Sequence, residues 1–528
     1  MIIENLRQTN NFINHNLKNF KAKNYNNKNI ILVELYDYKP STISFSYLSN
    51  VLSAKHEAKI VCYQPSFLNF MQRTKNFFNK YNPFGINKIY KSFGVKKFVN
   101  PQISFTTTQN EDYENIIKKI KNKRDILDIK IDNILIGDLI YDEFLRSKNI
   151  ITININSSEF KSFLKDAISL YYYWKNFFKK EKIKAVLISH HVYFMGIVPR
   201  IAIYKNIPVY TVGIAETPKY LSKKYPIKHC GFEDYFKIFK NFKPSLQKNL
   251  LLDAKKNLNE RFLGKKDIKI LLDRHTEKDF YNQKISKKKI LSKTKKFKVL
   301  VAAHQFNDAV HVYGKFLFTD FYEWIDFLGK CTNKTNYEWY IKFHPSEYKS
   351  NYKYIKYFAK KYPKFNVLPI DVTNNQLIEE KINIILTVYG SIGHEYPLFG
   401  IPVVNASKTG PHKFFNFNIY PKNMKHYKKI ITNLDKVPLV KIKKIKKNLY
   451  IYYLMRFLME YSLIDGFKDI VIKFGPNYPK KIYEIFLKQF SKKRNKMIMK
   501  IYKDYVNSKK FRVYGNNLSK KCKLIKFG

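Results

Sequence analysis

The sequence predicts an α/β protein with two lobes, each built on a parallel sheet, followed by a helical C-terminal tail. Short apolar runs alternate with segments of helical pattern, which is the rhythm of strands and crossover helices in a parallel sheet. A charged stretch of helical pattern at about 215–295 interrupts this rhythm, which then restarts. Of the 528 residues, 45% are hydrophobic, enough for cores of ordinary size.

The first half contains the strands of one predicted sheet. They are apolar runs with β-branched residues, separated by stretches of helical pattern. The runs cover residues 29–35, 59–62, 131–136, 184–189 and 208–212.

The second half contains the strands of the other predicted sheet. They cover residues 297–303, 338–343, 365–368, 382–388 and 401–405. Beyond these runs the pattern is helical and basic, with no further strand signal.

These patterns predict a division of the chain into five segments. We expect a loose N-terminal arm, an N-terminal α/β lobe on the acceptor side, a helical linker, a C-terminal α/β lobe on the donor side and a basic helical tail. Their respective bounds are 1–28, 29–240, 241–296, 297–422 and 423–528.

The charge balance is strongly positive, with 98 Lys and Arg against 41 Asp and Glu and a formal net charge of +57. All but ten of the basic residues are lysine, and Asn, Ile, Tyr and Phe are also abundant. These residues share A/T-rich codons, so genome composition alone explains the profile. The alternative is attraction to an anionic surface, with a membrane preferred over nucleic acid.

Cysteine spacing and hydropathy exclude several classes of protein. The four cysteines lie far apart, so their spacing is not that of a structural zinc site, and we expect no metal and no cofactor. The first residues lack the apolar core of a signal peptide, and no apolar run approaches the ~20 residues of a membrane-spanning helix. We therefore expect a cytoplasmic protein that is either soluble or peripheral at the inner membrane face.

Ligands of an open parallel sheet bind beyond the carboxyl ends of its strands. In the second lobe three polar clusters occupy such positions: His304 to Asp308, His344 with Pro345, and Gly390 to Glu395. Because parallel strands end at the same edge of a sheet, we expect the three clusters to converge.

The cluster at 390–395 suits a nucleotide. Gly390 and Gly393 would let the backbone approach a phosphate, and Ser391 can cap a helix or donate to a phosphate oxygen. Glu395 lies one helical turn beyond Ser391, where a carboxylate can accept hydrogen bonds from a ribose diol. The alternative is an ordinary strand-to-helix turn.

Histidines provide the other candidate donors. His344 can donate to a phosphate at neutral pH, and the alternative is a surface-loop histidine. His304 and Asp308 are either a capped loop or a donor-site pair.

The first lobe offers candidates for a general base. Asp138, His190 and His191 each follow a predicted strand and could take a proton from an acceptor hydroxyl. Asp138 could instead cap a helix, and the histidines could pack in a loop. Arg200 could pair with a phosphate or with a carboxylate.

Two segments carry a family resemblance. IKFHPSEY and LTVYGSIGHEYPLFGIPVV resemble the C-terminal lobe of GT-B-type glycosyltransferases of bacterial surface and capsule polysaccharide synthesis. VAAHQFNDAVH and LISHHVYFMGIVPRIAIYKNIPVY look like companion segments of the same group. The resemblance implies two Rossmann-like lobes facing across a cleft.

The His–Pro motif is similar to those of bacterial sialyl-, polysialyl- and Kdo-type transferases. In that group the histidine and a later serine turn contact a cytidine nucleotide, so the resemblance favours a CMP-sugar donor. It also implies that Glu395 binds ribose and that catalysis is metal-independent.

The predicted function is therefore transfer of a sugar from a nucleotide-activated donor to a surface-polysaccharide or lipid-linked acceptor. A nucleotide-sugar 2-epimerase and a CDP-polyol phosphotransferase share the architecture and remain alternatives. A basic protein that binds RNA or an anionic membrane without catalysis is the alternative from another class.

Overall fold

The computed structural model describes residues 2–20, 25–67, 82–212, 218–224, 232–263, 289–459, 462–516 and 523–524. The chain divides into two compact units. The first unit comprises Met1–Glu143, Asn154–Cys230 and Met459–Lys526, and the second comprises Phe144–Ile153, Gly231–Leu458 and Phe527–Gly528.

The first unit is built on a six-stranded sheet in the order β3-β2-β1-β6-β7-β8. Its strands are parallel except β8, which pairs antiparallel with β7. Strands β4 and β5 form a separate hairpin. The bounds are β1 (Asn29–Glu34), β2 (Lys59–Tyr63), β3 (Val95–Val99), β4 (Lys130–Ile131), β5 (Ile134–Leu135), β6 (Lys182–Ile188), β7 (Val209–Thr211) and β8 (Lys219–Leu221).

Three of the described helices between the strands of this sheet begin at side-chain caps, which Thr106, Asn122 and Ser157 provide. The longest begins after Ser157, whose hydroxyl accepts a hydrogen bond from the Phe160 amide at 3.2 Å. The central strands β1 and β6 are mostly buried, as expected for a sheet covered on both faces. The helices between the strands are Lys39–His56, Ile86–Ser92, Thr107–Lys119, Lys123–Leu127, Gly137–Lys148, Ser158–Lys180 and Ile197–Tyr204.

The second unit is built on a five-stranded, fully parallel sheet in the order β11-β10-β9-β12-β13. Its strands are β9 (Lys298–Ala302), β10 (Glu338–Lys342), β11 (Phe365–Val367), β12 (Ile384–Thr387) and β13 (Val403–Asn405). Its helices are Tyr235–Lys240, Pro244–Phe262, Phe321–Thr332, Pro345–Ser350, Tyr352–Lys361, Asn374–Glu379, Ile392–Glu395, Met424–Ile431 and Ile442–Tyr453.

The parallel strands of the two sheets share one order. In each, the first strand (β1 or β9) is central, the second and third strands lie to one side, and the fourth and fifth lie to the other. The direction of the strand order therefore reverses between β1 and β6 in the first unit and between β9 and β12 in the second. This is the doubly wound topology, so the prediction of two Rossmann-like α/β lobes is confirmed.

One strand prediction in the first lobe is wrong, and the two edge strands β3 and β8 were not predicted. Residues 131–136 are not a strand of the main sheet, because Asp132 and Asn133 adopt positive φ angles of 51° and 62° and turn the chain into a hairpin. The edge strand β3 was not predicted, since two exposed lysines interrupt its apolar pattern.

The predicted loose arm over 1–28 is corrected to an ordered helix, Ile2–Asn19, within the first unit. Phe12 is fully buried, and its ring stacks on Tyr483 at 4.1 Å between centroids. The Asn-rich composition concealed an apolar stripe that this packing buries.

The predicted tail 423–528 is helical, but it is not a separate segment. Residues 423–458 belong to the second unit and the rest, through Lys526, to the first. The later part contains the helices Phe467–Phe474, Tyr478–Lys488 and Lys492–Ser508 and the short strands β14 (Gly515–Asn516) and β15 (Lys523–Leu524).

Within the predicted linker 241–296, the helix Pro244–Phe262 belongs to the second unit. Residues 264–288 of that segment lie outside the described residues. Among the helices that the structure describes, none combines the length and apolarity needed to cross a membrane.

Replacement of Phe12 by alanine tests the packed N-terminal helix. Because the ring is fully buried, we expect Phe12→Ala to lower the free energy of unfolding by about 3–5 kcal/mol. Leu17→Ala on the same helix is the control, since Leu17 is 55% exposed. Thermal or denaturant unfolding measures the stability of both variants. Equal stability of Phe12→Ala and wild type would support a loose N-terminal arm instead of a packed helix.

Candidate functional site

His304 lies at the switch point of the second unit, two residues beyond the end of β9. Its Nε2 accepts a hydrogen bond from the Val388 amide at 3.2 Å and lies 3.1 Å from the Thr387 hydroxyl at the end of β12. The ring stacks on Phe321 with 4.8 Å between centroids. These contacts fix the imidazole between the two strands where the sheet order reverses.

The contacts of His304 define its protonation state. Because Nε2 accepts an amide hydrogen bond, the neutral ring carries its proton on Nδ1. Burial, and to a lesser extent the nearby charge of His344, lowers the pKa of His304 to about 3. At neutral pH the residue is therefore an uncharged N–H donor and not a cation.

His344 follows β10, the strand on the other side of β9, and its side chain is half-buried. The adjacent helix Pro345–Ser350 carries Glu347, which is fully buried and accepts a hydrogen bond from the Phe306 amide at 3.1 Å. Burial raises the pKa of Glu347 to about 7. Glu347 thus ties the loop after β9 to the helix after β10.

Gly390 and Ser391 follow β12 and complete the convergence that the sequence predicts. A side-chain carbon at Gly390 would lie 3.4 Å from Cε1 of His304 and 3.1 Å from the hydroxyl oxygen of Thr387. A side chain at 390 would therefore crowd the Thr387 hydroxyl, whereas its contact with the His304 ring would be an ordinary one. Ser391 precedes the helix Ile392–Glu395, and its side chain makes no capping hydrogen bond.

Gly393 has a packing role that differs from the predicted approach to phosphate. A side-chain carbon there would meet both Asn418 Nδ2 and His412 Nδ1 at 2.7 Å. This crowding gives a packing reason for glycine at 393, and its approach to a phosphate stays a prediction. Gly393 allows the short helix to pack against the 412–418 segment.

Glu395 is buried one turn beyond Ser391, as the spacing predicts, but it has a partner that the sequence did not reveal. Arg261 from the helix Pro244–Phe262 donates to Glu395 Oε1 through Nη2 at 2.7 Å and through Nε at 3.1 Å. The other carboxylate oxygen, Oε2, lies 3.4 Å from Asn374 Nδ2. Both carboxylate oxygens of Glu395 thus have partners within the second unit, and the side chain is buried.

Lys342 ends β10 beside this ion pair. Its ammonium donates to the Val372 carbonyl at 2.6 Å. Burial lowers the pKa of Lys342 to about 8, while Glu395 and Asp371 act in the opposite direction. Asp308, the last residue of the predicted 304–308 cluster, is exposed to solvent.

The switch point of the first unit carries a second hydrogen-bonded group. Glu34 ends β1 and is almost completely buried. Its carboxylate accepts hydrogen bonds from the Ser189 hydroxyl at 2.8 Å and the Ser189 amide at 2.5 Å. The same hydroxyl lies 2.9 Å from Nδ1 of His190, two residues beyond the end of β6. Glu34, Ser189 and His190 thus form a continuous chain from the interior to an exposed imidazole.

The direction of the hydrogen bonds between Glu34, Ser189 and His190 determines the tautomer of the His190 ring. If the Ser189 hydroxyl donates to Glu34, it accepts from Nδ1–H of His190, and Nε2 is then the unprotonated nitrogen of the neutral ring. Burial raises the pKa of Glu34 to about 7, although the hydrogen bonds from Ser189 oppose this shift. The imidazole is therefore arranged as a proton acceptor when Glu34 is ionised.

Asp138 does not lie at the edge of the main sheet, because the strand predicted before it is the β4–β5 hairpin. Its carboxylate forms a bidentate pair with Arg200, with distances of 2.6 and 2.8 Å. The Arg200 guanidinium also donates to the Leu135 carbonyl at 2.6 Å. The alternative that Arg200 pairs with a carboxylate is thus confirmed, and this buried pair links two helices. His191 is half-buried beside His190.

Sequence reasoning missed Glu34, Glu347 and Arg261. Glu34 stands at the end of an apolar run and was interpreted as part of the strand, although a carboxylate at a strand end was a visible signal. Glu347 lies three residues beyond His344 in the first turn of a helix. Arg261 had no signal, because it is 134 residues away from Glu395 in sequence.

Within the part of the chain that the structure describes, no group of three or more His, Cys, Asp or Glu side chains could hold a metal ion. Cys62 and Cys331 are buried and form no disulfide.

Comparisons with known proteins give only distant likenesses. No family profile and no curated protein sequence matches the chain. Among solved structures, UDP-GlcNAc 2-epimerase from Neisseria meningitidis bound to UDP-GlcNAc is 13% identical with a TM-score of 0.24, covering 87% of this chain and 100% of that one.

A glycosyltransferase from Rickettsia africae is 11% identical with a TM-score of 0.21, covering 91% of this chain and 99% of that one. Because these TM-scores are so low, we take the fold from the strand order and the function from the site.

The ionisation of Glu34 predicts a pH effect on stability. Its pKa rises from about 4.5 to about 7 in the folded protein, so between these values the folded protein retains a proton that the unfolded chain has lost. The stabilising contribution of protonated Glu34 is therefore present below pH 4.5, is lost as the pH rises to about 7, and then stays constant.

Glu34→Gln removes this dependence, so the stability of the variant relative to wild type should increase from pH 4.5 to 7 by on the order of 3 kcal/mol. Denaturant unfolding across this range measures the difference. Glu159→Gln, at an exposed carboxylate of the same unit, is the control. If the free energy of unfolding changes with pH in the same way for Glu34→Gln and wild type, the claim that Glu34 stays protonated up to about pH 7 is wrong.

Proposed function

We propose that the protein is a GT-B-type glycosyltransferase that moves a sugar from a nucleotide-activated donor to an acceptor hydroxyl. The observation that carries this proposal is the convergence of His304, His344 and the Gly390–Ser391 turn around the switch point of the second sheet. Three neighbouring strands, β10, β9 and β12, bring these groups to one edge. The switch point is where doubly wound sheets bind ligands.

The second unit binds the nucleotide in this scheme. His344 and the Nδ1–H of neutral His304 donate hydrogen bonds to phosphate oxygens, and Ser391 adds a hydroxyl donor. Hydrogen-bond donors placed where negative charge develops stabilise a departing phosphate. We propose that these protein groups, and not a metal ion, supply that stabilisation, with Glu395 Oε2 facing a ribose hydroxyl and Asp308 at the rim of the site.

The first unit supplies the general base in this scheme. His190 Nε2 takes the proton from the acceptor hydroxyl as that oxygen bonds to the anomeric carbon. The bond between the anomeric carbon and the phosphate oxygen breaks at the same time, and the nucleotide leaves with the electron pair. Glu34, acting through Ser189, holds the His190 ring in the tautomer that accepts this proton.

The finer assignments are also proposals. The resemblance of the His344–Pro345 segment to sialyl-, polysialyl- and Kdo-type motifs favours a CMP-sugar donor. The wider resemblance to enzymes of surface and capsule polysaccharide synthesis favours a surface-polysaccharide or lipid-linked acceptor, and a cytoplasmic location at the inner membrane face would place the protein beside a lipid-linked one. Product analysis distinguishes the transferase from a 2-epimerase, which releases a free sugar without an acceptor, and from a phosphotransferase, which transfers a polyol phosphate.

A nucleotide panel tests the donor site. We expect one of CMP, CDP, UDP, GDP or ADP to stabilise the folded protein by about 2.7 kcal/mol at a concentration of ~100 times its dissociation constant. His344→Ala should reduce this stabilisation, because a hydrogen-bond donor to the phosphate is lost. His426→Ala, in the helix Met424–Ile431 of the same unit, should leave it intact. Absence of any nucleotide-dependent shift in melting temperature would reject the donor site.

Replacement of each neighbouring histidine tests the proposed base. His190→Ala should lower turnover about 10²- to 10⁴-fold with little change in nucleotide affinity, because the base acts on the acceptor. His191→Ala is the matched control and should retain most activity, since the Ser189 hydroxyl contacts the ring of His190. Steady-state kinetics with labelled donor measure both variants, and a larger loss in His191→Ala would reverse the assignment.

A further inference from the structure

A segment of the second unit carries concentrated positive charge. From position 436 to position 459 the sequence contains no acidic residue. The solvent-exposed lysines in its first half are Lys436, Lys441, Lys443, Lys444, Lys446 and Lys447. Four of them lie in the first two turns of the helix Ile442–Tyr453, whose Ile445 and Leu449 are buried on the opposite face.

Large apolar side chains are exposed beside these lysines. Leu439 is 74% exposed, Phe399 is 40% exposed and Ile442 is 37% exposed. The Val440 amide donates to the Gly400 carbonyl at 3.1 Å, which holds the loop before the helix next to Phe399. Lysines and apolar side chains therefore form one surface, which we call the docking surface.

We propose that the docking surface binds an anionic lipid bilayer, with its lysines at the headgroups and with Leu439, Ile442 and Phe399 entering the interface. Clusters of four to eight lysines on an amphipathic helix suit anionic headgroups. Burial of exposed aliphatic and aromatic side chains at the boundary between headgroups and acyl chains makes the free energy of membrane binding more favourable.

The phosphates of RNA could pair with the lysines, but RNA offers no apolar layer that Leu439 and Ile442 could enter. The bilayer is therefore the partner that accounts for both features of the surface. The proposal assigns named residues to the membrane location given under the proposed function. It can fail separately from glycosyl transfer, because bilayer binding is measured without any sugar substrate.

Vesicle flotation of the full chain tests the proposal. Vesicles of phosphatidylglycerol with phosphatidylcholine are compared with vesicles of phosphatidylcholine alone, at low salt. The variant K443Q/K444Q/K446Q/K447Q removes four charges from the docking surface. Its matched control, K492Q/K493Q/K496Q/K500Q, removes four exposed lysines from the helix Lys492–Ser508 in the first unit, so that both variants have the same net charge.

We expect wild type and the control variant to bind the anionic vesicles and the docking-surface variant to bind at least tenfold more weakly, since each lysine near an anionic leaflet contributes about a fivefold factor. Leu439→Asn should also weaken binding, whereas Leu17→Asn, at an exposed leucine of the first unit, should not. Unchanged melting temperatures without vesicles show that the variants fold.

Three results would overturn the proposal. An equal loss of binding to anionic vesicles in the two quadruple variants would show that net charge alone explains the binding. Equal recovery of wild type with neutral and anionic vesicles would remove the role of the lysines. Displacement of the protein from vesicles by RNA, with unchanged binding in Leu439→Asn, would identify a nucleic-acid surface instead.

Discussion

The reversal of strand order in each sheet is the constraint on which the rest of the account depends. Chain segments leave the first strand toward one side and later return to its other side, so the crossovers diverge at the carboxyl ends of the first and fourth strands. Doubly wound sheets bind their ligands at this position. Glu34 and Ser189 occupy this position in one unit, and His304 and Thr387 occupy it in the other. In both units the sheet topology, and not a local motif, brings together groups from distant parts of the sequence.

Burial gives the two switch points different chemistry. In the second unit it keeps His304 neutral, because a charged imidazole would lose its solvation, and the Val388 amide fixes its tautomer. In the first unit it raises the pKa of Glu34 to about 7, so that its charge changes near neutral pH. A neutral donor in one sheet and a titrating carboxylate behind an exposed His190 in the other suit the tasks that we propose for them, donor binding and proton transfer.

The sequence predicted what depends on local pattern and missed what depends on distant contacts. The apolar runs located most strands, and the residues that follow them located His304, His344 and Ser391, because parallel strands share an edge. The ion pair of Arg261 with Glu395 lay beyond sequence reasoning, since no local pattern links a helix to a turn 134 residues away. The β4–β5 hairpin was missed although its Asp-Asn turn was a visible signal.

Hydrogen exchange with and without the nucleotide that stabilises the protein most is the most direct test of the central claim, that the carboxyl edge of the second sheet is the donor site. The account predicts slower exchange of backbone amides in residues 303–308, 343–347 and 388–393 when the nucleotide is bound. Residues 34–38 and 189–192 of the first unit should exchange at unchanged rates. Protection confined to the first unit, or bound nucleotide without protection at the ends of β9, β10 and β12, would contradict the account.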